Sequence, residues 1–426
     1  MNIALVFPPS TFLSKSDVWP PLGLWYLAAQ LETQGHKTDF FDFGQDVGLA
    51  FPEDGDYDQM WISATSPQMF EVRKIAEWTK DWAKTITIFG GAAAWANPES
   101  AVNLGFDWIV SGEADHPDTV KTITTLANKW DNYHLFPKIS KDLDWVLPPI
   151  RRWNLNYHSY MTDNDGNKYR MASLFTSRGC PMSCAFCESG RHGVIWDALT
   201  RYEPLDVVEY QICECKDMGF TGLAYYDDIF IVNKPRTLKL LELHNKYDMK
   251  FRCFLRSDIL CKHGGKDYLK QLKDGGLIEC FVGVESADNR IKNNIHKGTT
   301  IEQDTAVLEW CKELGIRCKM SFILGLPGES IESMNKTRDW ILEHRPSIVQ
   351  VDRLIPFTGT PLTDHPEQYD LKYENQPDEE WFFRGRYDIN SRSFVSTSNL
   401  SVEQIDEFWH KLEEELLAKG LSGYNH

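Results

Sequence analysis

Ser177-Arg178-Gly179-Cys180-Pro181-Met182-Ser183-Cys184-Ala185-Phe186-Cys187 sets three cysteines in C-x3-C-x2-C spacing at the end of a short strand-like run, SLFTS. Three thiolates in so short a loop can ligate three irons of a cubane cluster, and the missing fourth thiolate leaves one iron open to a small molecule. An electron-transfer cluster normally has a fourth protein thiolate, and structural zinc normally has four protein ligands with paired spacings. Zinc with His192 as the fourth ligand, or three inert buried thiols, are the competing readings. None of the 10 cysteines precedes Cys180 and all lie between Cys180 and Cys318, so metal chemistry belongs to the middle of the chain.

Outward from this loop the pattern alternates strand and helix. Downstream come a helix over Asp206–Met218, the run GLAYYDD, a helix over Pro235–Tyr247 and KFRCFLR. A helix over Lys266–Asp274, IECFVGVES, a helix near Gln303–Leu314, KMSFILG, a helix at Ser330–Glu343 and IVQVDRLIP follow. About six strand–helix units between residues 170 and 357 are too few for a full eight-unit barrel and predict a partial (β/α)6 barrel. Upstream, IALVF, KTDFFDF, DQMWISAT, TITIFGG and DWIVSG alternate with helices such as Leu22–Gly35, which predicts a doubly wound, Rossmann-like parallel sheet over residues 1–145. In such α/β sheets ligands sit at the carboxyl ends of strands, here Phe7–Pro9, Ser63–Gln68, Gly90–Ala94 and Gly112–Asp115. Residues 146–169, rich in Pro, Asn and Asp, read as a linker. Residues 358–426 read as a small C-terminal cap over one barrel end, ending in an amphipathic helix at Val402–Lys419.

A length of 426 residues suggests two or three domains, and 42% hydrophobic residues with 15 Trp supply packed cores. MNIALVFPPS lacks the basic region and cleavage site of a signal peptide, and no apolar run is long enough to cross a bilayer. The expectation is a cytoplasmic protein without a membrane partner, its cysteines serving as thiols or metal ligands rather than disulfides. A net charge of -17 argues against nucleic acid, whose phosphates need clustered Lys and Arg.

The cysteine loop, with aromatic Phe186 before its third cysteine, resembles the radical S-adenosylmethionine (SAM) superfamily signature. The resemblance implies a [4Fe–4S] cluster on Cys180, Cys184 and Cys187, with the SAM amino and carboxylate groups on the unique iron. AYYDDIFIVNK resembles the second-strand motif whose acidic end meets the SAM ammonium, pointing to Asp227 and Asp228. FLRSD puts Arg256 at the tip of the third strand, and GVESAD resembles the motif whose glutamate, here Glu285, binds ribose hydroxyls. SFILGLPGES resembles the adenine-contacting strand, with Gly325 and Pro327. These residue types suit their partners: carboxylates an ammonium and a diol, arginine a carboxylate, glycine a close backbone approach. Cys213 and Cys215 lie two apart on a predicted helix and do not face each other. Cys253, Cys261, Cys280, Cys311 and Cys318 sit in apolar surroundings and read as buried structural thiols.

PPLGLWYLAA from Pro20, Gly35-His36, SATSPQ, FGGAAAWANPE and IVSGEAD together resemble the cobalamin-binding domain that precedes a radical SAM core in a large subfamily. That implies cobalamin contacts at Pro9, Leu22, Gly23, Ser63, Ser66, Gln68, Met69, Gly90, Gly91, Gly112 and Glu113, with the Ser63–Met69 loop near the lower face. The Asp-x-His-x-x-Gly motif that supplies a histidine to cobalt elsewhere is absent, and His36 reads as a surface or capping residue. Radical SAM methylthiotransferases share this layout but carry cluster cysteines in the N-terminal domain, which this chain lacks.

The family resemblance implies an oxygen-sensitive enzyme that reductively cleaves SAM to a 5′-deoxyadenosyl radical and uses cobalamin to methylate an unactivated carbon. It also implies a reductase- or flavodoxin-type electron donor and leaves the substrate open. Two other readings stand: a radical SAM oxidation, cyclisation or rearrangement without methyl transfer, and a cobalamin- or redox-sensing binding protein with a degenerate core. The tail residues Trp381, Phe382, Phe383, Arg384 and Arg386 are candidates to close over a substrate, against a plainer role in packing and surface neutralisation.

Overall fold

The computed structural model describes residues 1–11, 18–44, 51–129, 132–153, 157, 159–189, 200–355, 357–373 and 393–423. His192 and the tail cluster Trp381–Arg386 lie outside the described residues. The chain divides into two compact units, one made of Met1–Ser159 with Glu203–Gln211, the other of Tyr160–Tyr202 with Ile212–His426. No helix among the described residues is long and apolar enough to cross a membrane.

The first unit holds a six-stranded sheet: β1 (Asn2–Phe7), β2 (Lys37–Asp42), β3 (Gln59–Ser63), β4 (Ile86–Gly90), β5 (Trp108–Val110) and β6 (Tyr133–Leu135). Its order is β2-β1-β3-β4-β5-β6, and every neighbouring pair is parallel. The order reverses between β1 and β3, which makes that edge the topological switch point where α/β sheets take ligands. Ile3, Ala4, Leu5 and Val6 of β1 are fully buried, as a continuous apolar run in a sheet covered on both faces must be. Helix α1 (Leu22–Thr33) is buried from Leu24 to Leu31, so it packs nearly all round rather than along one stripe. Helices α2 (Met69–Thr79), α3 (Ala92–Ala96), α4 (Pro98–Val102) and α5 (Pro117–Leu126) complete the alternation. The sequence reading found five of the six strands; β6 has only three residues, too few to show a period.

Glu203–Gln211 joins this unit through a buried polar chain. Tyr26 Oη and Arg151 Nη2 donate to Gln211 Oε1 at 3.3 and 3.1 Å, and Gln211 Nε2 donates to Glu203 Oε2 at 2.9 Å.

The second unit holds a seven-stranded sheet of order β15-β14-β13-β12-β11-β8-β7. Its strands are β7 (Ser159–Thr162), β8 (Lys168–Leu174), β11 (Gly222–Tyr225), β12 (Lys250–Leu255), β13 (Leu277–Glu285), β14 (Arg317–Leu324) and β15 (Ile348–Arg353). From β8 to β15 all pairs are parallel, the partial barrel expected. Two-residue strands β9 (Ser177–Arg178) and β10 (Arg201–Tyr202) pair beside it. Its helices are α7 (Lys234–Tyr247), α8 (Ser257–Lys262), α9 (Lys266–Asp274), α10 (Asn289–Asn294), α11 (Ile301–Leu314) and α12 (Ile331–His344), while α6 (Leu205–Asp217) begins among the first unit's residues and ends among these. The segment read as a linker carries β7 and the start of β8, turned by Asp163–Asn167, whose Asp163 carboxylate collects the turn's N–H groups.

After a short helix α13 (Pro361–Asp364) and the two-residue strands β16 (Lys372–Tyr373) and β17 (Val395–Ser396), α14 (Val402–Ala418) starts on a Ser401/Gln404 capping box. It lies against the edge strand: Trp409 Nε1 donates to the Val351 carbonyl at 2.8 Å, and Val349 N donates to the Leu421 carbonyl. Covering an edge satisfies its open backbone groups and blocks strand addition there.

Candidate functional site

The cysteine loop leaves β8 under the control of a buried carboxylate. Asp227, 1% exposed, accepts from Thr176 N at 2.6 Å, Thr176 Oγ1 at 2.5 Å and Ser177 N at 3.2 Å. The loop's middle is anchored in turn: Ala185 N donates to the Ile295 carbonyl and Leu362 N to the Ala185 carbonyl, while Ala185 sits in an apolar cluster with Ile291, Ile295 and Leu326. Phe186 packs against that cluster. Cys180 and Cys184 are buried, Cys187 is partly exposed, and no disulfide joins them. Burial pushes the Cys180 thiol up to about 11 and the Cys187 thiol up to about 12.

The two neighbouring aspartates therefore differ. Asp227 is spent on the loop's backbone, whereas Asp228 is half-buried beside it, accepting from Ser189 and from Gly179 N–H. Burial foremost, then the adjacent Asp227 charge, pushes the Asp228 carboxyl up to about 6 against those hydrogen bonds.

The next two strand ends bring charge to the cysteines. Arg256 Nη1 lies 3.4 Å from Cys184 Sγ, and its guanidinium grips Asp258 through Nε and Nη2 at 3.1 and 3.2 Å. Arg256 Nη2 also donates to the Lys297 carbonyl. Lys297 Nζ pairs with Glu285 Oε1 at 2.7 Å; burial opposes its charge, but Glu285 and Cys184 hold its pKa above the ordinary lysine value. Glu285 ends β13 at φ 68, a left-handed conformation costly for a side chain, at a register shift against β14. Gly283 makes room for it, since a Cβ there would stand 2.3 Å from Glu285 Oε1.

Behind these residues lies a fully buried ion pair, Lys292–Asp304. Lys292 Nζ also donates to the Val284 carbonyl at 2.8 Å, and Asp304 Oδ1 accepts from Ser257 Oγ at 2.6 Å. Val284 precedes Glu285 and Ser257 follows Arg256, so one pair braces both strand ends. Dehydration lowers the Lys292 pKa and raises that of Asp304, the direction expected where burial outweighs attraction. At β14, Gly325 (φ +85) and Leu326 donate backbone N–H groups to Glu329 Oε2 at 2.7 and 3.1 Å. The Pro327 carbonyl accepts from Asn294 Nδ2 at 3.0 Å.

At the carboxyl edge of the first unit's sheet the chemistry is different. Gln68 Nε2 donates to the Pro8 carbonyl at 2.7 Å and Ser10 Oγ at 3.2 Å, tying the loops after β1 and β3 together beside Pro9. Ser66 and Gln68 form a single 3-10 turn before Met69, which is buried. Gly91 has φ +89, and a Cβ there would lie 2.6 Å from Ser63 Oγ and 2.7 Å from the Ala64 carbonyl. Gly90 stands beside it over the Val110 carbonyl, and Gly112 (φ +154) over Pro137. Glu113 is buried; Leu22 and Gly23 open α1, and nothing lies within 4 Å of a Cβ at Gly23. His36 sits against the N-terminal ammonium at 3.5 Å, a surface position.

The radical SAM superfamily family model matches residues 174–341, and the B12 binding domain model matches residues 13–120. The chain belongs to the radical SAM superfamily. It carries a B12-binding domain ahead of the radical SAM core. An uncharacterized methyltransferase of Pyrococcus horikoshii is 26% identical over 398 residues, covering 86% of this chain and 83% of that protein. The hopanoid C-3 methylase of Methylococcus capsulatus is 24% identical, covering 84% of this chain and 71% of its own. Among solved structures, the radical SAM methyltransferase TsrM from Kitasatospora setae, with cobalamin and a [4Fe–4S] cluster bound, superposes with a TM-score of 0.67. That match, at 15% identity, covers 98% of this chain and 88% of TsrM, and shares the fold.

The radical SAM core's cysteine loop fits a cluster: the Cys184 sulfur lies beside a fixed guanidinium, and metal loading would deprotonate Cys180 and Cys187, whose thiols burial foremost holds neutral. At the B12-binding domain's edge, Gly90, Gly91 and Gly112 let the strand-end loops close on Val110, Ser63–Ala64 and Pro137, with Ala93 and Ala94 buried beside them, so no bulky side chain stands at these positions. Lys297, Lys292, Asp304 and Glu329 escaped sequence reading. The structure also gathers Cys280, Cys311 and Cys318, read singly as structural thiols, with all three sulfurs within 4.8 Å of one another. They are fully buried on the helix-facing side of the sheet, where apolar packing is the chemistry they share.

Proposed function

We propose that this radical SAM protein is a cobalamin-dependent methyltransferase acting on an unactivated carbon. The observation that carries the reading is the convergence of Cys184, Arg256, Lys297 and Glu285 at one carboxyl edge of the partial barrel. The B12-binding domain and the methyltransferase relatives support methyl transfer as the outcome.

Cys180, Cys184 and Cys187 would hold the [4Fe–4S] cluster. When bound, the cluster supplies the electron that cleaves SAM, and cobalamin supplies the methyl group. The rest falls to this chain's own side chains. Arg256, fixed by Asp258, keeps a positive charge against the Cys184 sulfur and offsets the charge of a buried thiolate. Asp228, at the loop, is placed to receive an ammonium, and an arriving cation would favour its ionised form. Glu285 faces the site as an ion-paired acceptor suited to a diol, with Lys297 holding its carboxylate in place. Gly325 and Pro327 would meet the adenine as the family resemblance implies, on a turn that Gly325 (φ +85) closes against Ile405 and Glu329 pins, while Phe186 packs on the cluster around Ala185. In the B12-binding domain the loops at Pro9, Ser63–Met69, Gly90–Gly91 and Gly112–Glu113, with Leu22 and Gly23, would hold cobalamin without a histidine ligand to cobalt. Thiols without disulfides support a cytoplasmic setting, and the one-electron chemistry calls for a reductase- or flavodoxin-type donor.

The test is anaerobic expression with iron and cobalamin supplied, followed by corrinoid quantification and assay with methyl-labelled SAM. Near-stoichiometric corrinoid with both 5′-deoxyadenosine and S-adenosylhomocysteine formed during turnover upholds the proposal. SAM cleavage without corrinoid overturns methyl transfer in favour of a non-methylating radical reaction.

A further inference from the structure

The barrel's inner face carries a second pattern, independent of the cofactor edge. Along β12 the burial alternates: Phe251, Cys253 and Leu255 are buried, and Phe251 packs 4.5 Å from His244 of α7, so that side faces the helices. Arg252 and Phe254, half-buried, face the opposite way, into the concave lumen.

In-register neighbours extend Phe254 into a row. Phe254 pairs with Phe281 and Phe281 with Lys319 across β12, β13 and β14. Ring centroids are 6.2 Å apart for Phe175–Tyr226, 6.4 Å for Tyr226–Phe254 and 5.1 Å for Phe254–Phe281. Lys319 Nζ stands 5.2 Å over the Phe281 ring, and the Arg252 guanidinium 5.6 Å over both Tyr226 and Phe254. All six side chains are half-buried, neither closed in core nor open on the surface. Tyr226, Phe254 and Phe281 stand two residues before Asp228, Arg256 and Gly283 in the chain, one side-chain layer beneath the charged carboxyl edge.

The charges here are lopsided. Glu279, in register beside Arg252, pairs instead with Arg317 at 3.5 Å, and Asp352 accepts from Gln350 at 2.7 Å. Arg252 makes only its two ring contacts: among the described residues no carboxylate or hydrogen-bond acceptor meets its guanidinium. A half-buried arginine flanked by two aromatic rings, its donors unspent, is suited to binding an oxyanion bidentately.

We infer that this aromatic row with Arg252 is the substrate platform, and that the substrate is a flat, aromatic molecule bearing a carboxylate or phosphate. The inference rests on the methyltransferase reading for its role as a reaction chamber. The aromatic body packs among Tyr226, Phe254 and Phe281, whose rings are tilted by 49° and 69° from one to the next, so that it meets one face and the edges of the others; the anionic oxygens meet Arg252, with Lys319 adding charge at the far end. Both cations then orient the body so that its remote carbons, not its anionic end, face the SAM layer.

The experiment is calorimetric titration of the reconstituted, full-length protein with SAM present, using 1-naphthaleneacetate, 1-naphthyl phosphate and neutral 1-naphthalenemethanol. Either anion should bind tighter than the alcohol, and the stronger of the two names the oxyanion. Arg252→Gln should weaken that anion by about tenfold or more and leave the alcohol unmoved, whereas Arg252→Lys keeps part of the preference. Phe254→Leu should weaken anion and alcohol alike, by about threefold to tenfold. Equal binding of anion and alcohol by the wild type, or an unchanged anion constant in a folded Arg252→Gln variant, overturns the inference. Binding is read apart from SAM cleavage. A chain that binds the anion but cleaves no SAM upholds the anion site and overturns the enzymatic reading; one that cleaves SAM and ignores charge does the reverse.

Discussion

Two parallel sheets in this chain end in carboxyl edges of opposite chemistry. The barrel's edge is built from charge: Asp228, Arg256, Glu285 and Lys297, braced from behind by Lys292–Asp304. The edge of the N-terminal sheet is built from absence of side chain, with Gly90, Gly91 and Gly112 beside Gln68, which is occupied with backbone. The same topology serves both because a parallel sheet fixes only where the loops converge. What they hold follows from side chains: a zwitterion with a ribose asks for paired charges, and a broad macrocycle asks for a low, flat rim.

If that contrast is right, single substitutions should damage one edge and spare the other. Cys184→Ala has the largest expected effect: SAM cleavage falls to background and iron content drops, while corrinoid retention persists. Iron analysis and 5′-deoxyadenosine formation check it, and full cleavage by the variant would break the cluster assignment. Next comes the brace. Lys292→Met leaves Asp304 buried without its partner and should cost about 3–5 kcal/mol of stability. The double variant Lys292→Met/Asp304→Leu should recover much of that loss, since an apolar pair of similar volume replaces a dehydrated ion pair. A brace for Arg256 and Glu285 predicts that the stable double variant still shows a SAM KM raised about tenfold. Wild-type KM in the double variant would reduce Lys292–Asp304 to packing.

The N-terminal edge offers the converse. Gly91→Ala forces a Cβ to 2.6 Å from Ser63 Oγ in a left-handed backbone, so the loop must shift, at a cost of about 1–3 kcal/mol. Co-purifying corrinoid should fall severalfold with iron content and uncoupled SAM cleavage unchanged. Loss of iron as well would mean that the two edges are not separable.

This contrast also explains what could be read in advance. The cysteine loop, Arg256 and Glu285 announce themselves because short spacings and strand-end positions survive in one dimension. The sheets were legible from alternating runs, except β6, too short for a period, and β7, hidden in a Pro- and Asn-rich stretch. Lys297 and Lys292 were not legible: each meets its carboxylate 12 residues away in sequence, Lys297 where the chain after α10 returns to the end of β13 and Lys292 where α10 packs on α11. Asp227 and Asp228 look alike as letters, and only the Thr176–Ser177 hydrogen bonds divide their work. Cys280, Cys311 and Cys318 are likewise joined by strand register and helix packing, which no spacing encodes.

The smallest effect sharpens the barrel's edge from within. Glu329 is fully buried; Oε2 takes the Gly325 and Leu326 N–H groups, and Oε1 meets no partner among the described residues. Burial pushes its carboxyl from the ordinary 4.5 up to about 8, against those two hydrogen bonds. Below pH 4.5 both folded and unfolded chains carry the proton, and its stabilising effect is complete. As pH rises towards 8 the unfolded chain gives up the proton while the folded chain keeps it, so folding stability falls through that window. Glu329→Gln keeps the acceptor and removes the titration. Its melting temperature should match the wild type near pH 5 and exceed it by about 5 °C near pH 8.5. A pH-independent gap would mean that Glu329 is ionised in the folded chain. The adenine-contacting turn would then carry a buried negative charge, and the barrel's edge would owe its net charge to one more carboxylate than Asp228 and Glu285.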